Sequence, residues 1–255
     1  MPLAAILTIL YIFVFLFGIV IGSFLNVCIF RIPKKESIVL PHSHCMHCGY
    51  QLRWYDLVPL FSFIFLRGRC RKCHTKLSLQ YPLVEGLNGA LYLIVFLANG
   101  WNISSIIYCL LTSALIVLSV LDWRTMEIPD GVNLFILVLG IAMTILDRQN
   151  WQEHLIGLVS VSGFLLVIYL VTVGRGIGGG DIKLMAGFGL LAGWKMAVMA
   201  LLLGCILGSV VHLVRMAVSK VSHQLALGPY LAVGMWLTIL WGQSVIDWYL
   251  HSLGL

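Results

Sequence analysis

Charge is what this sequence has least of: Asp, Glu, Lys and Arg make up 10% of its 255 residues, against about 25% in soluble domains. With 60% hydrophobic residues and a mean hydropathy of +1.00 over the whole length, that scarcity excludes a disordered chain, a coiled coil and an ordinary soluble domain. The same composition excludes a secreted disulfide scaffold. No Lys or Arg precedes the first apolar run, Leu3 to Phe30, and that run is too long for a cleavable signal peptide. No Gly-Lys-Ser/Thr occurs, so there is no P-loop. Gly174-x-Gly176-x-x-Gly179 formally matches a dinucleotide fingerprint. It follows an apolar run rather than a strand, however, and no acidic residue lies between Asp181 and Asp247. No soluble-type methyltransferase fingerprint and no internal repeat is visible.

What is present is a series of apolar runs of spanning length. They are Leu3–Phe30, a run from Pro82 to Ala98, Ile103–Leu121, Val132–Leu146, Leu155–Val173, a short Leu184–Gly193, Ala197–Val214 and Leu227–Val245. The expected fold is an all-α polytopic membrane protein of about eight transmembrane helices, with the sixth the shortest. Threading the chain back and forth puts fourteen of the sixteen basic residues on one side. Nine lie between residues 31 and 82, joined by Arg124, Arg175, Lys183, Arg215 and Lys220; only Arg148 and Lys195 fall opposite. This is the positive-inside pattern, which places the N-terminus outside and the 31–82 segment in the cytoplasm. The formal net charge of +6 is therefore topological, and no nucleic-acid partner is expected.

Residues 31–82 are too few for a large core and need a staple or a membrane surface to lean on. Cys45-Met-His-Cys48 and Cys70-Arg-Lys-Cys73 form two C-x2-C knuckles that can together complete a tetrahedral zinc site. A reducing cytoplasm disfavours two structural disulfides, though a redox pair competes with the zinc reading. Gly49 stands where a tight turn over a metal needs it. His42, His44, His47 and His74 lie in the same region, either as substitute ligands or as solvated loop residues. Cys28, Cys109 and Cys205 sit singly in apolar runs and read as small core residues.

Among the ten acidic residues, Asp122, Glu127, Asp130, Asp181 and Glu85 fall near the cytoplasmic ends of spans. Ionisable groups at membrane depth are costly and mark function. For Asp122 that reading competes with an interfacial ion pair to Arg124, and for Glu85 with an ion pair to a basic loop residue. Asp130, after Pro129, reads as the helix N-cap of the fourth span. The Gly174–Gly180 run has almost no side chains, which suits close approach of a peptide beside Asp181. Two carboxylates brought together can share one proton and work as an acid–base pair on water and a carbonyl. Gly18-x3-Gly22, Gly189-x3-Gly193 and Gly204-x3-Gly208 are candidates for close helix contacts within the chain.

Gly22-Ser-Phe-Leu-Asn-Val-Cys28, Arg31-Ile-Pro33, the paired knuckles with Leu52-Arg-Trp-Tyr55 between them, Tyr81-Pro-Leu-Val-Glu85, Asp122 with Ile128-Pro-Asp130, Gly178-Gly-Gly-Asp181-Ile-Lys183 and Gly228-Pro-Tyr230 resemble, in order, the bacterial type IV prepilin peptidases. The resemblance covers essentially the whole chain. It implies a bifunctional enzyme of the bacterial inner membrane. An aspartic endopeptidase would cut the basic leader from prepilins or pseudopilins, and an S-adenosylmethionine-dependent N-methyltransferase would modify the new N-terminus. Asp122 and Asp181 match the family's catalytic aspartates, while Cys45, Cys48, Cys70 and Cys73 would hold structural zinc. Glu85, with Trp54 and Tyr81, is the candidate site for the cationic cofactor. The chain then divides into a first span (1–30), a zinc loop that is the candidate methyltransferase-associated segment (31–82) and a transmembrane peptidase core (83–255), with membrane lipid as the other partner. A transporter built on intramembrane carboxylates is the alternative.

Overall fold

The computed structural model describes residues 3–40, 42–218, 225–252 and 254; Lys220, counted above with the cytoplasmic basic residues, lies outside them. Among the described residues the regular elements are helices: α1 (Leu3–Arg31), α2 (Phe61–Phe65), α3 (Gln80–Asn99), α4 (Ile103–Thr125), α5 (Asp130–Leu146), α6 (Trp151–Val171), α7 (Gly179–Ala192), α8 (Trp194–Val218) and α9 (Gly228–Ser252). Among the described residues, strand-like pairing is confined to two isolated bridges, His44 with Gln51 and Arg69 with Lys76.

Each of the eight expected apolar runs forms a helix, and six of them (α1, α3, α4, α6, α8 and α9) are long and apolar enough to cross a membrane. The other two fall short of the expected eight. With 17 and 14 residues, α5 and α7 extend about 26 Å and about 21 Å, less than a ~30 Å hydrocarbon core. Helix ends also differ from the apolar limits. The backbone of α4 continues past Leu121 to a left-handed cap at Met126, whose N–H donates to the Asp122 carbonyl (2.9 Å), so Asp122 lies inside the helix. α3 starts at Gln80, with Pro82 in the first turn, where no intrahelical amide bond is lost. The N-cap of α5 is Pro129, in an extended conformation, and not Asp130. The Asp130 carboxylate instead reaches Lys183 Nζ at 2.6 Å.

The chain forms two compact units, Met1–Trp101 and Asn102–Leu255. In the first, α1 packs along α3 through small residues. A Cβ on Gly18 would stand 2.8 Å from the Gly89 Cα, and one on Gly22 would stand 2.7 Å from the Glu85 Cα. Asn88 Nδ2 donates to the Gly18 carbonyl (2.7 Å), and Asn26 Nδ2 to that of Tyr81 (3.2 Å).

In the second unit α7 is the packed centre, set against α5 and α6, while α9 packs on α4 and α8. Leu184, Met185, Phe188 and Leu191 of α7 are fully buried. Gly189 meets the backbone of Gly157 in α6 with no room for a side chain on either, and Gly204 abuts Leu231 of α9. The glycine pairs thus make their close contacts within the chain. The far end of α7 is pinned at the Leu190 carbonyl, which accepts from Thr144 Oγ1 (3.2 Å) and from His154 Nδ1 (2.9 Å). Cys28 and Cys109 are buried, as expected of core cysteines, whereas Cys205 is exposed because it lies on an outward face of α8.

Candidate active site and metal centre

Asp122 sits three residues before the end of α4 and Asp181 is the third residue of α7. Both are buried, at 5% and 8% exposure, and the charge of Asp122 is felt at Asp181. Asp181 occupies the first turn of α7, where exposed amides and the helix dipole favour a negative group; its own N–H donates to the Gly178 carbonyl at 3.2 Å. Asp122 Oδ2 accepts from the backbone N–H of Gly228 (2.9 Å), at the start of α9. A side chain at position 228 would collide with that oxygen, since its Cβ would stand 2.7 Å away. Glycine therefore allows the amide to approach. Gly180 is likewise confined, its missing Cβ lying 2.9 Å from the Ile128 Cβ.

Around the pair, Asn133 Nδ2 of α5 donates to the Gly180 carbonyl (3.3 Å), while its buried Oδ1 has no hydrogen-bond partner among the described residues. Glu127 is exposed in the α4–α5 connection, and Asp130 pairs with Lys183 at the surface. A buried carboxylate pair with one oxygen held by a fixed amide can move a proton between a water and a carbonyl. Gly228 and Asn133 were not singled out from the sequence as site groups. For Gly228 the available signal is the Gly-Pro that opens the last span, which marks a helix start with an unpaired amide; Asn133 has no local signal.

In the Met1–Trp101 unit, the Sγ atoms of Cys45, Cys48, Cys70 and Cys73 lie within 4.8 Å of one another. The Cys45–Cys73 and Cys48–Cys70 separations are 3.9 and 4.0 Å. A tetrahedron of Zn–S bonds of about 2.3 Å has edges of about 3.8 Å, so the donor set fits zinc. The two knuckles repeat one backbone pattern. Cys45 N–H donates to the Tyr50 carbonyl and Cys70 N–H to that of Thr75, each at 2.9 Å. Each knuckle then turns through a left-handed residue, Gly49 (φ 67°) or His74 (φ 55°). Among the described residues this cluster consists of the four cysteines alone, without the neighbouring histidines. The thiols are already electrically unequal. Hydrogen bonding with Thr75 brings the pKa of Cys73 down to about 5, while that of Cys48, against the pull of the Tyr50 amide, is pushed up to about 11 by burial and the neighbouring thiols. All four are free thiols rather than disulfides.

Glu85 is buried in α3 at 6% exposure. Its Oε2 accepts from the Leu60 N–H at 2.8 Å, so the carboxylate ties the cysteine-bearing loop to α3. The Tyr81 ring stacks on Phe30 (centroids 5.4 Å apart), and the Trp54 ring stands edge-on to Tyr55 (5.6 Å).

Two family models match the chain: the bacterial peptidase A24 N-terminal domain over residues 16–99, and the type IV leader peptidase family over residues 109–213. The chain is 34% identical to a prepilin leader peptidase/N-methyltransferase of Aeromonas hydrophila, with 94% of this chain and 93% of that protein aligned. It is 32% identical to a protein of the same description from Bacillus subtilis (92% and 96% aligned) and 31% identical to one from Legionella pneumophila (94% of each). No solved structure matches the chain. With agreement along nearly its whole length and helices fit to cross a bilayer several times, the chain is a multi-pass membrane protein of the type IV leader peptidase family.

Proposed function

We propose that this protein cleaves the basic leader from type IV prepilins or pseudopilins at the cytoplasmic face of the bacterial inner membrane, with Asp122 and Asp181 as its catalytic pair. The observation that carries the reading is the burial of these two carboxylates at one end of the Asn102–Leu255 unit, in a chain of this family. One carboxylate takes a proton from water as the water attacks the scissile carbonyl, and the other protonates the carbonyl oxygen. When the tetrahedral intermediate collapses, the first returns its proton to the departing amine, and the second takes back its proton from the hydroxyl that becomes the new carbonyl, so the pair is restored. The Gly228 amide holds one oxygen of Asp122 and leaves the other to face the water. The basic 31–82 segment lies in the cytoplasm and the N-terminus outside, by the positive-inside rule. Eight crossings follow if α5 and α7 are accommodated by local thinning or by burial among the other helices. Family membership gives the transporter alternative no support.

The relatives' description also names an N-methyltransferase, and we assign that activity to the first part of the chain. S-adenosylmethionine would supply the methyl group for the new N-terminal amine. Glu85 is the proposed anionic partner for the sulfonium, and zinc on Cys45, Cys48, Cys70 and Cys73 would hold the 31–82 loop in shape for it. In this division residues 1–30 form the first span and 83–255 the peptidase core. The test is to incubate the purified, reconstituted protein with S-adenosylmethionine and a peptide that joins a basic leader to an apolar segment. Mass spectrometry should find a new N-terminus carrying a methyl group. An intact peptide contradicts the peptidase reading, and a cleaved but unmethylated product reduces the protein to a peptidase.

A further inference from the structure

The segment from Leu57 to Lys72 has features that neither the carboxylate pair nor the thiol cluster uses. Leu60 donates its N–H to Glu85, and its Cδ2 lies 4.0 Å from where a Gly86 Cβ would stand. Glu85 is the sixth residue of α3, about 8 Å along the helix from Gln80. It abuts Gly22, nine residues before the end of α1. Leu60 therefore lies alongside the two spanning helices, below their ends. α2 begins at the next residue, and its Phe61, Ile64 and Phe65 are 54%, 69% and 84% exposed. Leu60 and Arg67, on either side of α2, both take left-handed backbone conformations (φ 58° and 50°) although neither is glycine. Such strain persists only where its surroundings enforce it.

Beyond α2 the chemistry changes at once. Phe65, Arg67, Arg69, Arg71 and His74 line an open cavity of about 450 Å³. Asp56 pairs with Arg71 at 2.6 Å, and among the described residues no carboxylate pairs with Arg67 or Arg69. An apolar helix face at the depth of the spans, ending in an arginine-lined cavity, complements a lipid with an anionic head. We propose that α2 is an interfacial helix embedded in the leaflet beside α1 and α3, and that Arg67 and Arg69 bind the phosphate headgroup of an anionic phospholipid. This assignment is independent of the peptidase reading.

The test uses the full-length protein in phosphatidylglycerol-containing vesicles, with a photo-crosslinking amino acid at position 65 or, as a control, at Met46, which is exposed on the first knuckle. Lipid adducts should form at 65 and not at 46; their absence at 65, or equal yields at both positions, overturns the embedding. Amide exchange across 61–69 should also be slower in phosphatidylglycerol than in phosphatidylcholine vesicles. Arg67→Gln and Arg69→Gln should each reduce that difference by about fivefold. Equal exchange in the two lipids overturns the headgroup site, and cleavage of a leader peptide does not enter either readout.

Discussion

At the scale of single residues, the proposed chemistry rests on how tightly two carboxylates are held. Asp122 has one oxygen on the Gly228 amide, and the approach is possible only because residue 228 has no side chain. Gly228→Ala should therefore displace the carboxylate and lower kcat/KM for leader cleavage by about 10²-fold, the cost of a shift near 1 Å in a catalytic group. Thermal melting in detergent should change much less than activity; a variant with normal cleavage would show that the amide contact is dispensable. Glu127→Gln and Asp130→Asn should have partial effects at most, because Glu127 is exposed and Asp130 is occupied by Lys183 at the surface. The carboxylates themselves were legible in the sequence, since an ionisable group at the edge of a long apolar run is conspicuous. Their amide donor was not, because a backbone N–H has no residue signature. Asn133 was equally invisible: only the folded chain brings it to Gly180.

At the scale of elements, local spacing is legible in the sequence and long-range support is not. The knuckles are legible because four thiols in two C-x2-C pairs carry their own geometry, and the 3.9 and 4.0 Å thiol separations match it. Cys70→Ser should release zinc and make the 31–82 loop more sensitive to protease while leaving both aspartates in place. Metal analysis and limited proteolysis check this, and an unchanged zinc content would contradict it. Asp130 illustrates the opposite case. Its residue type suits a helix cap, but the ion pair with Lys183, 53 positions away, takes the carboxylate elsewhere. Glu85 stands out in the sequence as a charge at membrane depth, whereas its bond to the Leu60 amide has no sequence signal. That bond separates two roles. Glu85→Gln retains an acceptor for the amide and removes only the charge, whereas Glu85→Ala also leaves the amide unpaired, at about 1–3 kcal/mol. Methylation should be lost in both variants if the charge meets the cofactor. Methylation retained in the Gln variant would leave Glu85 with loop anchoring alone.

At the scale of the whole molecule, composition alone identified the solvent. A chain so poor in charge and so evenly apolar has to live in a bilayer, and its eight apolar runs are eight helices. The short sixth run is visible in the sequence, but not the burial of its helix, α7, among its neighbours, because burial on all sides depends on packing between distant segments. The grouping of α3 with α1 in one compact unit and of α4 to α9 in another depends on the same kind of contact. The peptidase assignment stands on Asp122 and Asp181, and it is tested by replacing each with asparagine. Purified, reconstituted Asp122→Asn and Asp181→Asn should remain folded and inserted, keep their zinc, and release no leader from a peptide that the unaltered protein cuts. Full cleavage by either variant would sink the assignment.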